Sequence, residues 1–297
     1  MKYDVKTSIL LLDFLQEIYP SSSKRRLRKM LTDGRISIDE IPEFRAKALL
    51  EPGQTLKIHP KKSQTQSNLN HQRKKPMKEL IFIDESILVV NKPQGLLSVA
   101  TDRLETNTMH TRCVNFVKEE SEKNWAYIVH RLDKPTSGLM VFARNPDDKK
   151  YLQNQFANQN VHRTYHAVVQ GVPKDNNGMI EQHIREGKNT RMQITTPSHR
   201  DAKKAITHWS KITHSSTHSL LEIYIQTGKR HQIRLALNSI NHPIIGDQTY
   251  NSSPSDTSRL YLHASALEFQ HPVTDEPMRF ESPHPFTSGV FAGLNKD

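Results

Sequence analysis

Leu11, Leu12, Leu15 and Ile18 recur at helical spacing and Pro20 closes the run, which predicts a short helix near the start of the chain. Ser21, Ser22 and Ser23 offer N-caps for a second helix, KRRLRKMLTDG, with Gly34 placed as its C-cap. In that helix Leu27, Met30 and Leu31 point one way, and Lys24, Arg25, Arg28 and Lys29 share the opposite face. RISIDE then alternates like a short strand, and EPGQTLKI closes the segment. The stretch from Pro60 to Lys78 is polar, aromatic-free and without periodicity, as a flexible linker would be. From Glu79 onward the period changes to that of strands: LIFID, ILVVNK, GLMVFAR, YHAVVQG, AITHWSKI, SLLEIYIQTG and LYLHASALEF. DDKKYLQNQFANQN, with Leu152 and Phe156 four apart, predicts a helix over a sheet.

Strands separated by turns, with few helices between them, predict an α+β domain with a mainly antiparallel, mixed sheet rather than a Rossmann-type array. The expected organisation is a small domain at 1–60, a basic linker at 61–78 and a large domain at 79–297. No run approaches the eighteen or so apolar residues of a bilayer span, and Asp13 and Glu17 interrupt the apolar start as a secretory signal would not allow. Cys113 stands alone, so no internal disulfide is expected, and it suits a small buried side chain. The cytoplasm is the expected compartment.

The net charge of +11 points to a polyanionic partner. Residues 1–78 hold 17 Lys and Arg against 8 Asp and Glu, so nearly all of the excess sits in the N-terminal quarter. Four cations on one helix face, with no acid between them, repel one another unless an anion is to be met there; an ordinary solvated helix is the alternative. Phosphate is the expected ligand of Lys24, Arg25, Arg28 and Lys29.

This arrangement of helix, serine-capped basic helix, Gly-Arg turn, short strand and EPGQTLKI resembles the alpha-L RNA-binding domain first described in a ribosomal protein, over about residues 7–59. Ser37, Ile38 and Asp39 replace its usual Val-Asn-Gly.

The densest chemical segment is HRLDKPTSGLMVFAR, with Asp133 ahead of Thr136, Ser137 and Gly138. By residue type alone that Asp could be a turn residue or an N-cap. The segment resembles the signature of the RluA-type family of RNA pseudouridine synthases. The resemblance continues in order through LIFIDESILVVNKPQGLLSV, RTYHAVVQG, TGKRHQIR, HPIIGDQTY and LYLHASALEFQHPVTDEPMRFESP, covering about residues 79–285. Two departures stand out: Lys229 where the family usually has Arg, and Leu235-Ala236 where it has a Val-His pair.

The resemblance implies an isomerase that breaks the ribose–uracil bond, turns the ring and rejoins it through carbon, with Asp133 as catalytic carboxylate. It implies that Tyr165, otherwise a core residue by its strand setting, packs on the uracil and serves proton transfer. It further implies that Arg234 pairs with Asp133; a guanidinium fork keeps a carboxylate ionised and aimed. Arg131 would fill the space left by the extruded base, and Lys229 and Arg230 would meet RNA. The reaction is redox-neutral and needs no cofactor, and no GxGxxG or GxxxxGK[ST] is present. Sixteen histidines without HExxH or paired CxxC argue against a metal, leaving His130 and His231 as orienting groups.

Two rivals compete with this reading. A non-catalytic RNA-binding module would suit the basic N-terminus but would not need the carboxylate, tyrosine and arginine together. A nucleoside or glycoside hydrolase would want a second carboxyl near Asp133, and no acidic partner recurs in these segments. The expected partner is RNA: large-subunit ribosomal RNA first, transfer RNA as runner-up. The protein itself is expected to be a monomer.

Overall fold

The computed structural model describes residues 2–286 apart from 21, 33–34, 44, 47, 60–76, 102, 188–190 and 252–258, and it leaves out the side chains of Arg25, Lys29 and Thr32. The expected cap Gly34, nearly all of the linker, and the Arg25 and Lys29 side chains therefore lie outside the described residues. The chain divides into two compact units, one of Met1–Lys75 with Val273–Asp275 and the other of Pro76–Pro272 with Glu276–Asp297.

In the first unit, strands β1 (Lys2–Asp4) and β2 (Ile9–Leu10) lead into helices α1 (Leu11–Ile18) and α2 (Lys24–Thr32), followed by β3 (Ile36–Ile38), β4 (Ile41–Pro42), β5 (Leu49–Leu50) and β6 (Thr55–Ile58). The sheet runs β1-β6-β3-β4, and β2 pairs with β5. Of the three serines it is Ser23 that caps α2, its hydroxyl accepting from the Arg26 amide at 3.3 Å. Leu27, Met30 and Leu31 pack with Leu11, Leu15, Ile36 and Leu56 in one core, as the apolar spacing predicted. Removing Leu27, which is fully buried, would cost about 2–5 kcal/mol. Lys24 and Arg28 on the other face are exposed.

The second unit begins with β7 (Leu80–Ile83), β8 (Ile87–Lys92), α3 (Met109–Lys118), β9 (Tyr127–Ile128), β10 (Ser137–Ala143), α4 (Pro146–Ala157) and β11 (His162–Gln170). It continues through β12 (Asn177–Glu186), β13 (Met192–Thr195), β14 (Lys203–His214), β15 (His218–Ile225), α5 (Gln232–Ser239), β16 (Leu262–Gln270) and β17 (Pro277–Glu281). One sheet of 11 strands runs β13-β12-β14-β15-β11-β16-β10-β8-β7, with β17 on β16 and β9 on β10. Every pairing in it is antiparallel except β10 with β16, which is parallel.

The continuous apolar runs of β8 and β10 follow from burial on both faces. Leu88, Val90, Met140 and Phe142 face a core shared with Met109, Cys113 and Val117 of α3 and Ile233 and Leu237 of α5. Ile87, Val89, Leu139 and Val141 face another core, shared with Leu152 and Phe156 of α4. Asn145 caps α4 by accepting from the Asp148 amide at 2.9 Å, and Pro146 fits the first turn, where no amide is needed. Cys113 is fully buried within the first of these cores. No helix among the described residues is long and apolar enough to cross a membrane.

Candidate active site

The turn carrying Asp133 is held from several directions. Ser98 Oγ donates to the Leu132 carbonyl at 2.7 Å, and accepts from the Leu132 amide at 3.0 Å. Lys92, at the end of β8, is fully buried, and its ammonium donates to the carbonyls of Pro93, Leu96 and Lys134 at 3.0, 2.8 and 3.3 Å. Burial pushes the Lys92 pKa down to about 8, against the pull of the Asp133 carboxylate. Beyond the turn, Gly138 has φ +120°, and a Cβ there would lie 2.3 Å from the Ala264 carbonyl oxygen. Only glycine lets β10 come this close to its parallel neighbour β16. Ser137 Oγ bonds His263 Nδ1 at 2.9 Å, and His263 Nε2 bonds Ser282 Oγ at 3.1 Å, so the root of the turn is tied to β16 and the chain after β17.

Asp133 faces a cavity of about 510 Å³, within the usual size for small-molecule sites. Asp133, Tyr165, Arg234, Arg131, Lys229 and Arg230 all line it, although they come from β11, α5 and two loops. Tyr165 is buried, and burial raises its hydroxyl pKa, with Arg163 opposing and Asp133 adding to the shift. Its register is set by an irregularity: β11 pairs Thr164 with Ala266 but Tyr165 with Ala264, leaving Ser265 as the extra residue of a bulge. Arg131 and Lys229 are exposed at the rim. Arg230 is there too, but its guanidinium is engaged by Glu186 at 3.0 Å. His130 lies behind the turn, stacked on Phe156 and accepting the Val141 amide at 3.1 Å. Burial depresses its pKa to about 3, so it is a neutral orienting group.

Arg234 does pair with Asp133, but not through its fork. Its Nε and Nη2 donate to the two carboxylate oxygens of Asp247 at 2.8 and 2.7 Å, and Nη2 also donates to Thr249 Oγ1 at 2.7 Å. Asp133 receives only the remaining nitrogen, Nη1, at 3.9 Å. The reason is geometric: Gly246, at φ +75° and pressed against the Arg259 carbonyl, turns the chain so that Asp247 accepts the amides of Thr249 and Tyr250 at 2.8 and 3.2 Å. That leaves its carboxylate square to the fork. Burial would raise the Asp247 pKa, but the Arg234 hydrogen bond and charge with the two amides outweigh it, and the group ends below the ordinary carboxylate range. Burial likewise opposes the charge of Arg234, and Asp247 reverses that opposition, so its pKa is raised. His231 brings Nε2 to 3.9 Å from Asp133 while Nδ1 bonds the Tyr250 hydroxyl at 2.9 Å. It sits at φ 53°, at the entrance to α5, and the next residue, Gln232, ties the loop to Ile206, Thr207 and Thr227.

Reasoning from sequence missed Asp247, Tyr250, Lys92 and Arg163. The GDQTY and NKPQG turns hold the first three, and a glycine beside an acid or a buried-strand lysine was the available signal. Among the described residues no group of three or more His, Cys, Asp or Glu gathers as a metal site.

Residues 86–239 match the RNA pseudouridylate synthase family, to which the chain belongs. It is an isomerase acting on RNA. An uncharacterized RNA pseudouridine synthase of Bacillus subtilis is 35% identical over 211 residues, which is 70% of this chain and 69% of that one. The ribosomal large subunit pseudouridine synthase D of Neisseria meningitidis serogroup B is 31% identical over 284 residues, 91% of this chain and 74% of the other. Among solved structures, human RNA pseudouridylate synthase domain containing 4 shares the fold, with a TM-score of 0.59 at 23% identity over 70% of this chain and 88% of its own.

Proposed function

We propose that this protein isomerises uridines in large-subunit ribosomal RNA, turning each target base out into the cavity, where the Asp133 carboxylate acts on the bond between ribose and base. The observation that carries the reading is that Asp133 is the only described carboxylate lining that cavity and has Arg234 and His231 both at 3.9 Å. A hydrolase working through paired carboxyls would need a second acid there, and Asp247 is already committed to the Arg234 fork. Arg234 acts as a positioning residue: locked on Asp247, it presents one N–H face to Asp133. Tyr165 supports the extruded ring and offers a hydroxyl with no hydrogen bond to a described residue. Extrusion costs a few kcal/mol, and Arg131 and Lys229 at the rim can return part of it by stacking and by meeting phosphates. The choice of RNA is supported by the name of the Neisseria relative and by the basic first unit, read as an RNA-binding domain.

The test is RNA labelled with tritium at uracil carbon 5, because that hydrogen leaves when carbon 5 bonds the ribose. Wild-type protein is expected to release it from large-subunit ribosomal RNA, and Asp133→Asn to bind within a few fold while releasing none. Release by the Asn variant would remove Asp133 from the chemistry; release only from transfer RNA would reassign the substrate.

A further inference from the structure

Arg163 is 8% exposed and lines the cavity, yet no described residue gives its guanidinium a hydrogen bond or an ion pair, and its Nε is fully buried without a partner. A guanidinium is a permanent cation, so burying one unpaired costs the free protein stability. The surroundings hold it in place without neutralising it. Its charge centre lies 5.4 Å from the Phe156 ring, and its Nη1 rests against Gly228, where any Cβ would approach within 2.5 Å. On β11 it is two residues from Tyr165, so both project from one face of the strand into one cavity.

Depth decides what the cation awaits. Phosphates belong to a strand that enters and leaves, and the exposed Arg131 and Lys229 stand at the mouth where that strand would run. A buried guanidinium is reached by the part of the nucleotide that goes inside, the base. We propose that Arg163 binds the carbonyl edge of the extruded uracil and stabilises the negative charge the ring carries while it is detached from the ribose.

This rests on the isomerase reading above and adds a residue to it. When the bond from ribose C1′ to N1 breaks, its electron pair leaves with the ring and spreads over N1, O2 and O4. After the ring turns, C5 bonds C1′, the proton on C5 is lost and N1 takes up a proton. Atoms and electrons balance with no co-reactant. A cation fixed beside the carbonyl oxygens attracts the anionic ring more strongly than the neutral uridine, and only that difference lowers the barrier.

The experiment compares Arg163→Met, Arg163→Lys and Arg163→Ala with the wild type in the full chain, reading single-turnover tritium release at saturating RNA, RNA affinity with its salt slope, and Tm. Arg163→Met is expected to slow release by about 100-fold or more, to keep affinity within about threefold with an unchanged slope, and to raise Tm, because an unpaired buried charge has been removed. Arg163→Lys should recover part of the rate, and added methylguanidinium should partly restore Arg163→Ala. A wild-type rate in Arg163→Met overturns the proposal. So does weaker binding with the salt slope reduced by roughly 0.7 at unchanged rate, which assigns Arg163 to a phosphate. A lowered Tm with no rescue by lysine or methylguanidinium makes it structural and overturns it as well. If the wild type itself releases no tritium, the isomerase reading fails and the proposal goes with it; if only the Asp133→Asn control is inactive, the proposal alone has failed.

Discussion

Arg234 gives its fork to Asp247, at 2.8 and 2.7 Å, and reaches Asp133 with one nitrogen at 3.9 Å. The arginine is thus oriented by one carboxylate and turned toward another. Replacing Asp247 with Asn keeps the shape and strips Arg234 of its buried counter-charge, which should cost about 3–5 kcal/mol because both partners are almost wholly buried. Asp133 would then draw the freed guanidinium into a tighter pair, and turnover should fall about tenfold or more at saturating RNA. Chemical denaturation and single-turnover assays check the two halves. Arg234→Lys should lie between the wild type and Arg234→Ala, since lysine restores charge without the fork. The Asp247 pKa is lowered on folding, so its stabilisation is complete above the unfolded value of about 4 and is lost as pH falls through the lower folded value. A denaturation series from pH 6 to pH 2 should therefore show a steeper acid loss for the wild type than for Asp247→Asn.

Lys92 ties three carbonyls around the Asp133 turn, and a methionine of similar length would take the ammonium from all three, leaving Lys134 only the Gly95 amide at 2.9 Å. Lys92→Met should lose about 1–3 kcal/mol of stability, and turnover should drop further than binding, because the loosened turn carries the carboxylate. Unchanged single-turnover rates in a folded variant would show that Ser98 and the sheet suffice.

Much of this was legible before any coordinates. Period and punctuation located α1, α2, α4, β8 and β10, because each buries a stripe or a whole run whose apolar positions the sequence displays. The strand β12 was not legible: NGMIEQHIRE buries only Gln182 and Ile184, and its charges fall on both faces. Helix α5 was hidden for another reason. It starts from His231 in a left-handed conformation with no side-chain cap, so the usual Ser, Thr or Asp start signal is missing. At the site, the resemblance to the synthase family named Asp133, Tyr165 and Arg234, which residue types alone left as a turn residue, a core residue and a cation, but an arginine does not declare which of two acids its fork will take. That choice is made by Gly246 and the turn it allows.

The Tyr165 hydroxyl separates ring support from proton transfer. Because it has no hydrogen bond to a described residue, Tyr165→Phe should leave Tm within about a degree and RNA affinity within about twofold. If the hydroxyl moves a proton, single-turnover release should fall by about 100-fold or more. A nearly intact rate would confine Tyr165 to stacking.

The final prediction concerns the first unit and begins from its charge: residues 1–78 carry 17 basic against 8 acidic residues, and Lys24 and Arg28 stand exposed on the face of α2 opposite its core. Non-specific attraction to RNA should therefore reside there more than beside the cavity. Both units have their own cores, and all but Val273–Asp275 of the first lies at or before Lys75, so a protein starting at Pro76 should fold and keep its chemistry while losing affinity. If Lys24, Arg25, Arg28 and Lys29 meet three or four phosphates, the slope of log affinity against log salt should flatten by about 2 to 3, at roughly 0.7 per phosphate for single strands. Saturating RNA should then restore most of the rate, because attraction and catalysis draw on different residues. Tritium release and binding measured from low to moderate salt, on a truncated protein first shown to be folded, test this division. Unchanged affinity and slope would place the attraction in the second unit instead, and inactivity at saturating RNA would mean that the first unit contributes to the chemistry as well as to binding.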